Sequence, residues 1–121
     1  MNNKQYIGKL GENKTIEYLQ NNYYQIIEKN FYCKFGEIDI IALDKKENEL
    51  VFIEVKTRTN LLYGIPIEAV DYNKIKHMKK TINYYLLKRK ISNIDIRIDA
   101  VGVLINKDKC IIQHIKDAIQ S

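Results

Sequence analysis

The sequence predicts an α/β domain: a mixed β-sheet of about five strands flanked by helices, in the order α-β-β-β-α-β-β. Three observations predict it. Residues 50–56 (LVFIEVK) are apolar on both faces, which marks a strand central in a sheet covered on both sides. Two strand-like segments precede it across short turns, as antiparallel neighbours require. A long amphipathic helix follows Pro66 and allows a crossover back to the sheet.

Taken in order, residues 4–22 read as a helix, with Ile16 and Leu19 apolar at helical spacing. Glu12 falls between Gly8, Ile16 and Leu19, so an acid interrupts the inward face, where acids are uncommon. Residues 25–34 (QIIEKNFYCK) are rich in β-branched and aromatic side chains and read as the first strand. Gly36 marks a turn, residues 37–43 (EIDIIAL) form the second strand, and residues 44–49 form a polar loop before the third. Pro66, the only proline, suits the first position of a helix, with Glu68 in the first turn and Gly64 shaping the approach. That helix puts Ile75, Met78, Ile82, Tyr85 and Leu86 on one stripe and Lys76 and Lys80 opposite, toward solvent. Residues 94–104 and 110–115 are the last two strands, with a turn at 106–109.

The 121 residues suit one domain, 1–121, and no repeat or linker-like stretch divides them. With 45% hydrophobic and 29% charged residues the chain has a soluble, globular composition. Its apolar runs are too short to span a bilayer, and no basic start precedes an apolar stretch as in a signal peptide. Cys33 and Cys110 make neither a disulfide framework nor a zinc ligand set and read as free thiols. A cytoplasmic protein with no membrane partner is therefore expected. Twenty Lys and Arg against 15 Asp and Glu leave a net charge of +5, which suits a polyanion partner. From Asn73 to Asn93 no acid occurs, while Lys74, Lys76, Lys79, Lys80, Lys88, Arg89 and Lys90 all fall there. A solvated helix face more often mixes both signs.

Strand side chains alternate between faces, so Glu37, Asp39, Ile41 and Leu43 share one, and Leu50, Phe52, Glu54 and Lys56 share another. Each face is apolar along most of its length and charged at one end. In a matching register Asp39, Glu54 and Lys56 converge at the edge of an apolar layer. Charges there must pair or coordinate a metal. Two carboxylates can hold Mg²⁺ or Mn²⁺, which would activate a water and polarise a phosphoryl oxygen, and a lysine can stabilise the charge gathering on phosphorus. The plainer reading is a same-face ion pair between Glu54 and Lys56, and spacing alone does not choose between them.

The stretches G8-x-x-G11-E12 with Y18-L19, F35-G36-E37-I38-D39-I40-I41-A42 and F52-I53-E54-V55-K56-T57-R58 carry a resemblance. So do G64-x-P66-x-E68-A69-V70-D71, R97-I98-D99 and H114-I115. Together they resemble the YraN family, uncharacterised bacterial proteins placed with the PD-(D/E)xK nucleases and archaeal-type Holliday junction resolvases. The resemblance runs from Gly8 to about Ile115. It implies a restriction-endonuclease-like fold with Asp39 and Glu54 as metal ligands, Lys56 as the catalytic lysine and Glu12 as the helical acid of resolvase-like members. Ile38-Asp39 stands where the superfamily name has Pro-Asp, which leaves the ligand in place. It further implies a DNA substrate, branched or structured DNA included, and a homodimer, because a four-way junction presents two equivalent strands. Arg58 and Lys74, with Lys76 and Lys80 on the basic helix, are the expected nucleic-acid contacts. Glu37 shapes the metal site or is a solvated strand end, Arg97 and Asp99 pair with each other, and His114 and Tyr18 are structural.

Overall fold

A computed structural model describes residues 3–59, 66–107 and 109–118, with backbone alone at Asn3, Glu68 and Ala69. Gly64 and Asp108 lie outside the described residues. Helix α1 (Asn3–Asn21) leads into strands β1 (Tyr24–Cys33), β2 (Gly36–Asp44) and β3 (Glu49–Arg58). A short 3-10 helix (Pro66–Ala69) and α2 (Tyr72–Lys88) cross back to β4 (Asp95–Asn106) and β5 (Lys109–Ile115). The five strands lie in the order β1-β2-β3-β4-β5, and only β3 and β4 run parallel. This is the predicted α/β architecture and element order.

Each face of the sheet carries its own core. Ile40, Ala42, Val51, Ile53, Val101 and Val103 pack with Leu19 of α1 on one face. Phe31, Ile41, Leu50, Phe52, Ile98 and Ala100 pack with Ile75, Met78, Ile82 and Tyr85 of α2 on the other. Central β3 is buried from Leu50 to Glu54, as its two-sided apolar pattern requires. Among the described residues no helix is long and apolar enough to cross a membrane.

Three expectations need correction. The helix opened by Pro66 is only the short 3-10 turn; α2 begins afterwards, where Asp71 caps it by accepting from the Asn73 and Lys74 N–H groups at 2.9 and 3.3 Å. Proline satisfied the local geometry, and the capping aspartate set the longer helix. Asp44 and Glu49 end strands and are paired with each other across β2 and β3, leaving only the residues between them as the turn. Strict alternation also fails in β2, because Ile38 and Ile41 join the same core. The β2–β3 ladder closes at Ile40–Ile53, and the chain ahead of it is held by β1 alone, as far as Cys33–Gly36.

Candidate functional site

The end of that ladder makes the site. Beyond Ile40–Ile53 no further backbone pair forms between β2 and β3; instead Asp39 Oδ2 accepts the Val55 N–H at 2.7 Å. The strands part, and the two acids flanking the last pair, Asp39 and Glu54, stand at the opening. Glu54 is 4% exposed, while its neighbours in β4 are the small residues Ala100 and Gly102, opposite Glu54 and Lys56. Gly102 is required by its surroundings: an added Cβ would come within 2.6 Å of the Ile67 backbone N, so only glycine lets the 3-10 helix settle beside Lys56.

Glu12 arrives from the other face. A Cβ on Gly11 would overlap the Thr57 side chain, so glycine lets α1 cross β3 closely enough to bring the next residue to the opening. Glu12 is half-buried, bonded to the Asn30 side chain and within electrostatic reach of Glu37 and Glu54. Burial, chiefly, holds its carboxyl above the ordinary range, and the two acids add to it.

Lys74 is the cation that meets Glu54. From the first turn of α2 its Nζ donates to Glu54 Oε1 at 2.8 Å. A lysine there opposes the helix dipole, which favours anions at the N-terminus, so the carboxylate must hold it. Burial works against its charge, yet the bond to Glu54 and the charges of Glu54, Asp39 and Glu37 lift its pKa above the usual value.

The site is nevertheless short of positive charge. Glu54 Oε2 is buried without a hydrogen-bond partner among the described residues. Asp39 is pushed up to about 7, first by burial and then by the Glu54 charge, against the lowering effect of the Val55 N–H. A buried acceptor without a donor and a carboxyl that resists ionisation fit a small, hard cation between Asp39 and Glu54. Among the described residues no three His, Cys, Asp or Glu side chains converge to hold an ion unaided. An ion here would rest on the two carboxylates, with water and substrate oxygens completing its shell, as Mg²⁺ commonly does.

Lys56 lies two residues beyond Glu54 in β3, half-buried, with no ion-pair or hydrogen-bond partner among the described residues. The plain Glu54–Lys56 ion pair therefore does not form, since Glu54 is taken by Lys74. Arg58 bonds the Thr57 carbonyl at 3.0 Å, and Lys76 and Lys80 are exposed on the outer side of α2. Glu37 is exposed but contributes its charge at both Glu12 and Lys74.

A second charged cluster, on the α1 face, was legible only as an Arg97–Asp99 pair. That pair exists, at 2.9 and 3.0 Å, but Arg97 also donates to Asp44 (2.9 Å), Glu49 (2.9 Å) and the Tyr24 hydroxyl (2.8 Å). His114, read as structural, lies 2.7 Å from Asp99 Oδ2 and 2.8 Å from the Tyr18 hydroxyl. A carboxylate only accepts, so His114 Nε2 donates to Asp99, while Nδ1 and the Tyr18 hydroxyl share the other bond. The Asp117 N–H completes the shell of Asp99. No sequence signal pointed to this hub, because its members are spread from Tyr18 to Asp117.

The profile of the uncharacterised protein family UPF0102 matches residues 11–103. A UPF0102 protein of Persephonella marina is 43% identical over 92% of this chain and 90% of its own length. One from Caldanaerobacter subterraneus subsp. tengcongensis is 39% identical over 98% of this chain and 96% of its own. One from Clostridium botulinum strain Kyoto is 44% identical over 94% of each. The matched region takes in Glu12, Asp39, Glu54, Lys56 and Lys74 together. This chain therefore belongs to the uncharacterised protein family UPF0102, the YraN family that its GEID and EVKTR segments resemble.

Proposed function

We propose that the protein is a Mg²⁺- or Mn²⁺-dependent nuclease that hydrolyses phosphodiester bonds in DNA, branched DNA among its substrates. The observation that carries the reading is the buried Glu54 Oε2, without a partner among the described residues, beside an Asp39 carboxyl pushed up to about 7. Buried carboxylate oxygens that serve structure alone are rarely left without a donor. Asp39 and Glu54 are the residues to hold the ion. Bound there, it would polarise a phosphoryl oxygen and lower the pKa of a water. Lys56, two residues along the strand, carries an ammonium with no partner among the described residues, suited to the charge that develops on the phosphoryl oxygens. Glu12, its carboxyl raised by burial and not assigned to the ion, is suited to accept a proton from that water.

The test is cleavage of linear, hairpin and four-way-junction DNA with Mg²⁺ or Mn²⁺ and with EDTA, for the natural protein and for Lys56→Ala. Metal-dependent cleavage that falls about 10²–10³-fold in the variant is expected, the usual effect of removing one group that stabilises transition-state charge. Equal activity in both would remove Lys56 from the mechanism.

One observation favours a second reading, a nucleic-acid-binding module of nuclease fold with little chemistry. Lys74 already occupies Glu54 Oε1, so part of the carboxylate charge is met without metal. Salt-dependent DNA binding that survives Asp39→Ala, with no cleavage of any substrate, would select it.

A further inference from the structure

A second surface combines an exposed phenylalanine and basic side chains with Tyr84, which packs partly against the core and Phe31. The β1–β2 hairpin bends at Gly36, which sits against Thr81 of α2, and this brings the hairpin tip onto the side of that helix. Phe35, at the tip, is 46% exposed. Its ring lies edge-on to Tyr84 of α2, with centroids 6.1 Å apart. Each ring carries an exposed ammonium: Lys34 Nζ is 5.1 Å from the Phe35 centroid, and Lys88 Nζ is 5.7 Å from that of Tyr84. Residues 74, 77, 81, 84 and 88 follow one flank of a helix, so this pair of rings continues the line that starts at Lys74 on Glu54. Ten residues of helix separate Lys74 from Tyr84, about 15 Å.

A nearly half-exposed phenylalanine flanked by cations is poor design for stability alone, since exposed cation–π pairs contribute only about 0.5–1 kcal/mol. It is what a strand of unpaired nucleotides needs: flat faces for bases and ammonium groups for the phosphates between them. Duplex DNA hides its base faces within the stack, so a stacking platform has nothing to grip there. That separation spans roughly four nucleotides at stacked spacing, fewer when the strand is extended. The helix itself carries no acid between Asn73 and Asn93 to repel the backbone, and the exposed Glu37 of β2 puts its negative charge at the Lys74 end of the line.

We propose that the Phe35–Tyr84 flank is a track for an unpaired DNA strand running toward the carboxylate pair, with both rings stacking on bases and Lys34 and Lys88 contacting phosphates. This rests on the nucleic-acid reading above and deepens it: the substrate has a single-stranded segment beside the bond to be cut.

The experiment measures anisotropy of a short labelled single strand and of a blunt hairpin duplex, in EDTA so that cleavage does not intervene. Phe35→Ala, at a site exposed enough to leave the fold intact, should weaken single-strand binding roughly 5- to 150-fold, the worth of one stacked base. Its melting temperature and its affinity for the duplex should not move. Lys34→Gln with Lys88→Gln should lower the salt slope on the single strand by about 1.4, at about 0.7 for each phosphate no longer neutralised. A single strand bound no tighter than the duplex, or bound equally by Phe35→Ala, overturns the track. The nuclease reading fails separately. A protein that grips strands through Phe35 yet cleaves nothing keeps the track and loses the enzyme, and the reverse outcome does the opposite.

Discussion

The two faces of the sheet each bury a group of charges, and the groups are solved differently. On the α1 face Arg97 gathers Asp44, Glu49, Asp99 and Tyr24, and His114 and the Asp117 N–H complete the coordination of Asp99. Asp99 is fully buried, yet despite that burial its bonds to His114 and Arg97 keep its carboxyl below the ordinary range. On the α2 face Glu54 has one oxygen on Lys74 and one without a partner among the described residues, and Asp39 beside it is raised to about 7. Burial is common to both; satisfaction is not. A closed network ties the strand ends together, whereas an open one keeps a place for something to bind.

The largest expected effect breaks the closed cluster. Arg97→Met strands the buried Asp44 and Asp99 without their cation and should cost about 3–5 kcal/mol in chemical denaturation. A loss below about 1 kcal/mol would mean the network is not what binds the strand ends.

Next comes the open cluster, where removing charge should do the reverse. Asp39 has a folded-state pKa of about 7 against an ordinary value of 3.8. A raised carboxyl contributes stability that is fully present below the unfolded value and lost as pH rises through the folded one. The loss therefore runs from about pH 4 to above neutrality. Asp39→Asn keeps an acceptor for the Val55 N–H and deletes the charge. In EDTA at pH 8 it should be more stable than the natural protein by on the order of 1–3 kcal/mol, with the advantage gone by pH 4. Mg²⁺ or Mn²⁺ should raise the melting temperature of the natural protein and leave the variant unmoved. A variant that is less stable at pH 8 without metal would make the two clusters alike.

The smallest effect concerns Lys74, whose side chain is 44% exposed. Lys74→Met should cost only about 1 kcal/mol in EDTA, because water screens the lysine end of the pair, although Glu54 at the other end is buried. The stabilisation from Mn²⁺ should grow, since Glu54 then has no other cation. An unchanged or smaller gain would show that Lys74 does not compete for that carboxylate.

Much of this was legible in the chain itself. The element order followed from two-sided apolar β3, short turns and one long helical stripe, because burial periodicity is a local property. Asp39, Glu54 and Glu12 were visible as acids interrupting apolar faces, and the structure brings all three within electrostatic reach of one another. The role of Asp71 as the cap of α2 was not legible, since the proline five residues earlier gives an equally good local start signal.

By itself, then, the sequence determined the order of strands and helices, the inward faces of most of them, and where acids break those faces. Only the tertiary structure decided that Lys74 rather than Lys56 meets Glu54, that Asp39 takes a backbone N–H from β3, and that Arg97 joins four strand ends. Those choices depend on register, on the crossover and on how closely α1 and the 3-10 helix approach at Gly11 and Gly102. Periodicity reports the direction of a side chain, whereas its partner is set by whatever distant segment packing brings to that direction.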